Sequence, residues 1–140
     1  MTMNITGQCH CGAIRFTALV DPAKVFACHC ADCQIFSGAP FRAVVPVPAG
    51  QVQMTGSPKH YVKVAASGNR RAQAFCADCG TQLYATEADE PKTLNIRLGC
   101  VTERAQLKPT VQLWRASGMP WLHDLDAAPA HGRGRDSPLL

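Results

Sequence analysis

The chain has 140 residues, of which 46% are hydrophobic and 17% are charged. This length and composition predict one globular domain, and the run of about 20 apolar residues that a membrane span requires is missing. The formal net charge is +4 when the cysteines are counted as neutral thiols, which makes nucleic acid the first binding partner to consider.

Short runs of strand-like composition follow one another along the chain, and none has the pattern of a long amphipathic helix. Turn signals separate the runs, including Pro46–Gly50 and Ser67–Asn69, and one helical turn is expected near Ala31–Phe36. The sequence therefore predicts a mainly β domain of short antiparallel strands. The expected strands are Ala13–Leu19, Val25–Cys28, Phe41–Val45, Gln51–Thr55, His60–Val64, Arg71–Cys76, Gln82–Thr86, Leu94–Leu98 and Val111–Trp114.

The N-terminal segment bears on the cellular location, and the C-terminal segment bears on the extent of the folded domain. Met1–Gly7 has neither a basic leader nor an apolar stretch of signal-peptide length, so we expect a cytoplasmic protein. The segment 127–140 has no periodic apolar pattern, and we expect a folded domain over residues 1–126 followed by a flexible tail. In a reducing compartment clustered cysteines are more often metal ligands than disulfides.

Seven of the eight cysteines fall into three clusters with the spacing of metal ligands. In an extended segment residues i and i+2 point to the same side, and a Cys-x-x-Cys turn also presents two sulfurs to one ion. Gly12 and Gly80 directly follow two of the clusters, where a tight turn needs glycine. The clusters are Cys9-His10-Cys11, Cys28-His29-Cys30-Ala31-Asp32-Cys33 and Cys76-Ala77-Asp78-Cys79.

The simplest division of these ligands is four plus three, with two Zn²⁺ per chain. A closed site of Cys9, Cys11, Cys76 and Cys79 would be structural and would stabilise folding by about 10–16 kcal/mol. Cys28, Cys30 and Cys33 would hold a second zinc with one exchangeable position, as in catalytic sites. The alternative is a closed second site, completed by one of His29, His60, His123 and Cys100.

Metal binding also changes the meaning of the net charge. Seven thiolates and two Zn²⁺ together contribute about −3, which lowers the total to roughly +1. The argument for nucleic-acid binding then nearly vanishes. We expect a small-molecule partner, with no nucleic acid and no membrane.

The cysteine motifs and their flanks resemble the glutathione-dependent formaldehyde-activating enzyme family, whose domain also occurs in centromere protein V. The resemblance covers about residues 4–123 and rests on Gly7–Gly12, on Cys28–Cys33 with Ser37–Phe41, and on Phe75–Thr81. It implies a zinc-binding β-tent fold with structural zinc on Cys9, Cys11, Cys76 and Cys79 and catalytic zinc on Cys28, Cys30 and Cys33. It also implies a carbon–sulfur lyase that interconverts glutathione and formaldehyde with S-(hydroxymethyl)glutathione.

Several further residues have both a functional and an ordinary interpretation. Arg42, Arg70 and Arg71 are candidates to hold the carboxylates of a thiol such as glutathione. The ordinary interpretation is that Arg70 and Arg71 form a solvated surface pair. For His29 the functional interpretation is a proton relay near the second zinc, and the ordinary one is a packed side chain that faces away from the metal. Phe41 and Trp121 line a pocket or belong to the core, and Cys100 is expected to be a buried free thiol.

Two other functions compete with the enzyme. One is a non-catalytic binding module in which both zinc ions are structural, with Arg133 and Arg135 of the tail as its contact residues. The other is redox buffering through Cys30-Ala31-Asp32-Cys33, which requires thiols free of metal.

Overall fold

The computed structural model describes all residues, 1–140, and contains ten strands and one α-helix. None of its helices combines the length and the apolar character that crossing a membrane requires. The strands are β1 (Met3–Gln8), β2 (Arg15–Val20), β3 (Phe26–Cys28), β4 (Arg42–Pro48), β5 (Val52–Thr55), β6 (Lys59–Val64), β7 (Arg70–Phe75), β8 (Gln82–Glu87), β9 (Thr93–Arg97) and β10 (Val111–Leu113). The helix α1 is Ala31–Ser37, and 3-10 turns lie at Pro22–Lys24, Ala49–Gln51, Leu98–Cys100, Arg104–Gln106, Arg115–Ser117 and Leu122–Ala127.

The strands form two sheets. One has the order β1-β2-β5, and the other has the order β10-β3-β4-β9-β8-β7-β6. All neighbours are antiparallel except β10 and β3. The expected mainly β, β-tent-like single domain is confirmed, and each of the predicted strands has a counterpart. Only β1 was missed, since its sequence MNITGQ has few of the β-branched and aromatic residues that favour strands.

The larger sheet has one apolar face and one polar face. Residues paired across neighbouring strands lie on the same face, and successive residues alternate between faces. Val45 and Val47 of β4 and Ile96 of β9 pack with Ile5 and Phe16 of the smaller sheet in the core. The opposite face is called the site face below, and it carries Arg42 and Val44 of β4, Gln73 of β7, Ala85 of β8, and Asn95 and Arg97 of β9.

The turn predicted at Pro46–Gly50 begins later than expected, because Pro46 and Pro48 belong to β4. β4 pairs with β3 only over Arg42–Val44, whereas it pairs with β9 from Val44 to Pro48. Beyond Val44 one edge of β4 therefore has no strand partner. Proline, which has no N–H to donate, is tolerated at such an edge.

The C-terminal segment 128–140 follows the last 3-10 turn, and nearly all of its side chains are exposed. An antiparallel bridge joins His131 to Leu139. The Leu140 N–H donates to the Ala130 carbonyl oxygen at 2.8 Å. The division into a domain at 1–126 and a tail at 127–140 stays a prediction.

Gly7 lies where β1 crosses close to two other segments. It pairs with Phe16 of β2 and forms a bridge with Val101. A Cβ atom at this position would overlap the Phe16 ring and would lie 2.7 Å from the Cys100 carbonyl oxygen. Because Phe16 is packed in the core, the ring has little freedom to move aside.

We therefore expect Gly7→Ala to lower the free energy of unfolding by about 1–3 kcal/mol, as overpacking of a core does. Urea unfolding followed by circular dichroism measures the change. Gly50→Ala is the matched control, because a Cβ there meets nothing within 4 Å, and its effect should stay within about 0.5 kcal/mol. Equal effects in the two variants would contradict this account of Gly7.

Candidate functional site

The first cysteine pair lies in a tight turn between β1 and β2. The Cys9 N–H donates to the Ile14 carbonyl oxygen at 3.0 Å, and the Gly12 N–H donates to the Cys9 carbonyl oxygen at 3.1 Å. The Ile14 N–H donates to Cys9 Sγ at 3.3 Å. Gly12 has a φ of +81°, a conformation that side chains disfavour, so glycine is required where the sequence predicted it.

The second pair lies in a similar turn between β7 and β8. The Cys76 N–H donates to the Thr81 carbonyl oxygen at 3.0 Å, and the Gly80 N–H donates to the Cys76 carbonyl oxygen at 2.8 Å. The two turns are joined directly, because the His10 N–H donates to Thr81 Oγ1 at 3.0 Å. Thr81 also contacts Cys79 Sγ through its hydroxyl at 3.2 Å.

These turns bring four sulfur atoms together, those of Cys9, Cys11, Cys76 and Cys79, all within 4.8 Å of one another. The Cys11 sulfur lies 3.6 Å from that of Cys9 and 3.7 Å from that of Cys76. A tetrahedral zinc with Zn–S bonds of about 2.3 Å separates its sulfurs by about 3.8 Å. Hydrogen bonds from the Thr81 hydroxyl and N–H lower the pKa of Cys79 to about 5, which favours the thiolate. The four-sulfur cluster therefore fits a zinc ion.

The remaining three cysteines meet where β3 leads into α1. Cys28 ends β3, Cys30 precedes the helix, and Cys33 lies in its first turn, with the three sulfurs within 4.8 Å of one another. Cys30 Sγ accepts the Cys33 N–H at 3.3 Å, so the metal-ligand motif also caps the helix. Burial raises the pKa of Cys33 to about 12, although the Arg42 charge acts in the opposite direction. A metal ion bound here would displace that proton.

His29 does not join the three-sulfur cluster. Its side chain is 1% exposed, its Nε2 lies 2.8 Å from Gln112 Oε1, and its ring packs on Phe41 at 5.2 Å between centroids. The interpretation of His29 as a packed residue is therefore favoured over a proton relay.

The other residues considered as a fourth ligand also lie elsewhere, and no further His, Cys, Asp or Glu atom joins the cluster. His60 contacts the Tyr84 hydroxyl at 3.4 Å, and His123 contacts Arg115 at 2.8 Å. Cys100 donates to the Arg97 carbonyl oxygen at 3.2 Å. Burial raises the pKa of the Cys100 thiol to about 11, as expected for an inert buried thiol.

The three sulfurs lie at the wall of a cavity of about 250 Å³ on the site face, called the sulfur cavity below. Its lining includes four cationic side chains, those of Arg42, Lys63, Arg71 and Arg97. The single carboxylate in the lining is Asp32, whose Oδ2 lies 2.5 Å from Lys63 Nζ. The cavity therefore favours an anionic ligand.

Two of these cations share one neutral acceptor. Gln73 Oε1 accepts from Arg42 Nη1 at 3.2 Å and from Arg97 Nη2 at 2.9 Å. The Nε atoms of both arginines are buried without a hydrogen-bond partner. Burial, and then repulsion by Arg42, lowers the pKa of Arg97 to about 9. Such a pair of guanidinium groups is a suitable site for a carboxylate.

A second cavity, of about 610 Å³, lies at the end of the sheet where β4 and β8 begin and β9 ends. We call it the strand-end cavity. Arg42 and Arg97 line it as well as the sulfur cavity. Phe41 lines the strand-end cavity, as one interpretation of the sequence expected, and Gln82 contributes a buried Oε1 without a hydrogen-bond partner.

Only some of the residues that the sequence suggested for substrate binding line a cavity next to the cysteines. Arg42 and Arg71 line the sulfur cavity, whereas Arg70 is half exposed and pairs with Asp89 at 3.0 Å. Trp121 is 45% exposed and lies in a separate surface depression. Arg97 was missed, although the alternation Asn95-x-Arg97 in a strand places two polar side chains on one face.

The sequence model of a family described as glutathione-dependent formaldehyde-activating enzyme matches residues 4–117. The chain belongs to this family. Its members are called GFA proteins below, and the match includes all seven clustered cysteines.

The chain is also similar to one curated protein and to one solved structure. An uncharacterized lyase of Schizosaccharomyces pombe is 33% identical over 78 residues, which are 56% of this chain and 54% of that protein. The chain thus matches about half the length of this curated relative. A crystal structure of a Rhodobacter sphaeroides protein has a TM-score of 0.57 at 16% identity and covers 76% of this chain and 98% of that one. At this identity the likeness concerns the fold alone.

Within this GFA protein, Gln73 can be tested as the residue that holds the two arginines in place. Gln73→Leu should lower the free energy of unfolding by about 1–3 kcal/mol, because two buried guanidinium groups lose their shared acceptor. Urea unfolding of the metal-loaded protein measures it. Gln53→Leu, on the exposed side of β5, is the matched control and should change stability by less than about 0.5 kcal/mol. A neutral Gln73→Leu substitution would argue against the arrangement described.

Proposed function

We propose that this protein is a cytoplasmic, zinc-dependent carbon–sulfur lyase-type enzyme acting on adducts of aldehydes with glutathione or another small thiol. The reaction to test first is the formation of S-(hydroxymethyl)glutathione from formaldehyde and glutathione. The observation that carries the proposal is the three-sulfur cluster, which has no fourth protein ligand and opens onto a cation-lined cavity. Membership of the GFA family and the lyase name of the yeast relative support the same class of activity.

In this proposal the two clusters have different roles. Cys9, Cys11, Cys76 and Cys79 hold a structural zinc, because four sulfurs complete a tetrahedral site. Cys28, Cys30 and Cys33 hold the catalytic zinc and leave one position for an exchangeable ligand. When bound there, zinc would stabilise the substrate sulfur as a thiolate at neutral pH, at which a free thiol of pKa about 8.5 is mostly protonated.

The reaction is an addition that needs no oxidant or reductant. A sulfur electron pair attacks the aldehyde carbon, one carbon–sulfur bond forms, and the carbon–oxygen π bond breaks. The proton that leaves the thiol is the one that the new hydroxyl group gains. The residues of the cavity contribute mainly by holding the thiol compound beside the aldehyde carbon, since positioning supplies a large share of the acceleration in such reactions.

Metal analysis is the first test. The purified protein should contain two zinc ions, one removed readily by a chelator and one retained until the chain unfolds, because only one site lacks a fourth protein sulfur. Elemental analysis during incubation with EDTA, with circular dichroism on the same samples, separates the two. One zinc ion per chain, or two that leave at the same slow rate, would contradict the proposal.

Substitution of one ligand in each cluster is the second test. Cys33→Ser should keep the fold and one zinc ion but lower the rate of adduct formation by about 10²-fold or more, as loss of a catalytic metal does. Carbon-13 exchange NMR with labelled formaldehyde and glutathione measures that rate. Cys76→Ser should fail to fold, since structural zinc supplies folding energy.

Cys100→Ala is the control for metal content and should retain both ions, because Cys100 lies outside both clusters. An unchanged rate in a Cys33→Ser variant that has lost one zinc ion would exclude the catalytic role. It would leave a zinc-stabilised binding module as the better interpretation.

A further inference from the structure

The sulfur cavity and the strand-end cavity share a wall, and that wall is made by the Arg42 and Arg97 side chains. Arg42 pairs with Cys28 in the register of β3 and β4. One arginine of the wall is therefore a cross-strand neighbour of a candidate metal ligand on the same face. The second arginine is joined to the first through Gln73 Oε1.

No carboxylate of the protein pairs with the two arginines of this wall. No salt bridge involves Arg42 or Arg97, and Arg97 is only 6% exposed. The buried Nε atoms of both arginines have no hydrogen-bond partner, which is costly, and a carboxylate matches the fork geometry of a guanidinium group. By contrast, Arg71 and Lys63 already have carboxylates near them, those of Glu87 and Asp32.

The volumes of the two cavities also favour a ligand that is larger than a simple thiol. At about 250 Å³ the sulfur cavity is smaller than the roughly 300–1,000 Å³ typical of small-molecule sites. The strand-end cavity, at about 610 Å³, is within that range but contains none of the three clustered cysteines. A peptide-sized thiol with its sulfur at the cysteines is therefore too large for the sulfur cavity alone, and the strand-end cavity on the other side of the two arginines has room for the rest of it.

We propose that Arg42 and Arg97 bind a carboxylate of an anionic peptide thiol, whose remaining part occupies the strand-end cavity while its sulfur reaches Cys28, Cys30 and Cys33. Gln82 Oε1, buried without a partner, accepts an N–H of the same ligand. The inference rests on the proposed function for the position of the sulfur. It adds the residues that select an acidic peptide thiol over a small neutral one.

Binding of matched thiols to the zinc-loaded protein tests this. Glutathione, its diethyl ester and 2-mercaptoethanol all carry a thiol, but only glutathione carries carboxylates. Isothermal titration should give glutathione an affinity about tenfold to hundredfold higher than that of the diester, since charge-assisted hydrogen bonds are lost in the ester. Arg97→Gln should lower glutathione affinity by a similar factor and leave the diester unchanged.

Two further variants separate loss of the carboxylate site from misfolding and from a general loss of positive charge. Gln73→Glu places a carboxylate between the two arginines without removing either, so it should fold and still weaken glutathione binding at least tenfold. Arg70→Gln removes the same charge as Arg97→Gln from an exposed position paired with Asp89, and it should bind glutathione like the wild type.

Equal affinity for glutathione and its diester in the wild type would overturn the inference, as would a Gln73→Glu variant with unchanged glutathione affinity. Binding of 2-mercaptoethanol without binding of glutathione would overturn it as well, while leaving the thiol chemistry of the proposed function intact. Conversely, carboxylate-dependent binding in a protein that does not accelerate adduct formation would support the inference and remove the proposed reaction.

Discussion

The meeting of four sulfurs from two turns is the constraint on which the remaining architecture depends. Cys11 and Cys76 are 65 positions apart in the sequence, yet their sulfurs lie 3.7 Å apart. One turn belongs to the smaller sheet and the other to the larger sheet, so their contact fixes the two sheets relative to each other. Four thiolates this close repel one another strongly unless protons or a divalent cation compensate their charge. A bound zinc would convert that repulsion into a cross-link, much as a disulfide does in secreted domains.

With the sheets fixed in this way, the larger sheet can have two different faces. Its apolar face is covered by the smaller sheet, from which Ile5, Phe16, Ala18 and Val20 contribute to the core. Its opposite face lies beside α1, whose Asp32 pairs with Lys63 of β6, and it carries arginine, glutamine and asparagine at alternate positions. The three cysteines are delivered to this polar face by the short segment from β3 to α1. A rigid scaffold thus supports the side chains that would contact a ligand in the proposed function, as a positioned site requires.

The parts of the molecule that were predictable from the sequence are those encoded by local pattern. Strand-like runs, the glycine after each turn and the spacing of the cysteines are local properties, and they predicted nine of the ten strands and the division of sulfurs into four and three. The β4 prolines were misassigned because their tolerance depends on which strand lies beside them. Arg97 was missed for a similar reason. It matters because it shares the Gln73 Oε1 acceptor with Arg42, and these residues lie on β7 and β4, far from Arg97 in the sequence. Such non-local pairings follow from sheet order, which the sequence pattern did not supply.

The positions of the charged side chains explain the net charge better than its total does. Four cationic side chains and one carboxylate line the sulfur cavity, and three thiolates with one Zn²⁺ would contribute one net negative charge, so about two positive charges remain in excess. Part of the positive charge of this small protein thus lies on one concave face, whereas a nucleic-acid surface would spread it along the length of a backbone. A positive cavity of this kind raises the local concentration of small anions, and under the proposal it would select among thiols by their carboxylates. The same cations also lower the cost of gathering thiolates on this face, so in the proposed function substrate selection and metal binding would depend on one electrostatic feature.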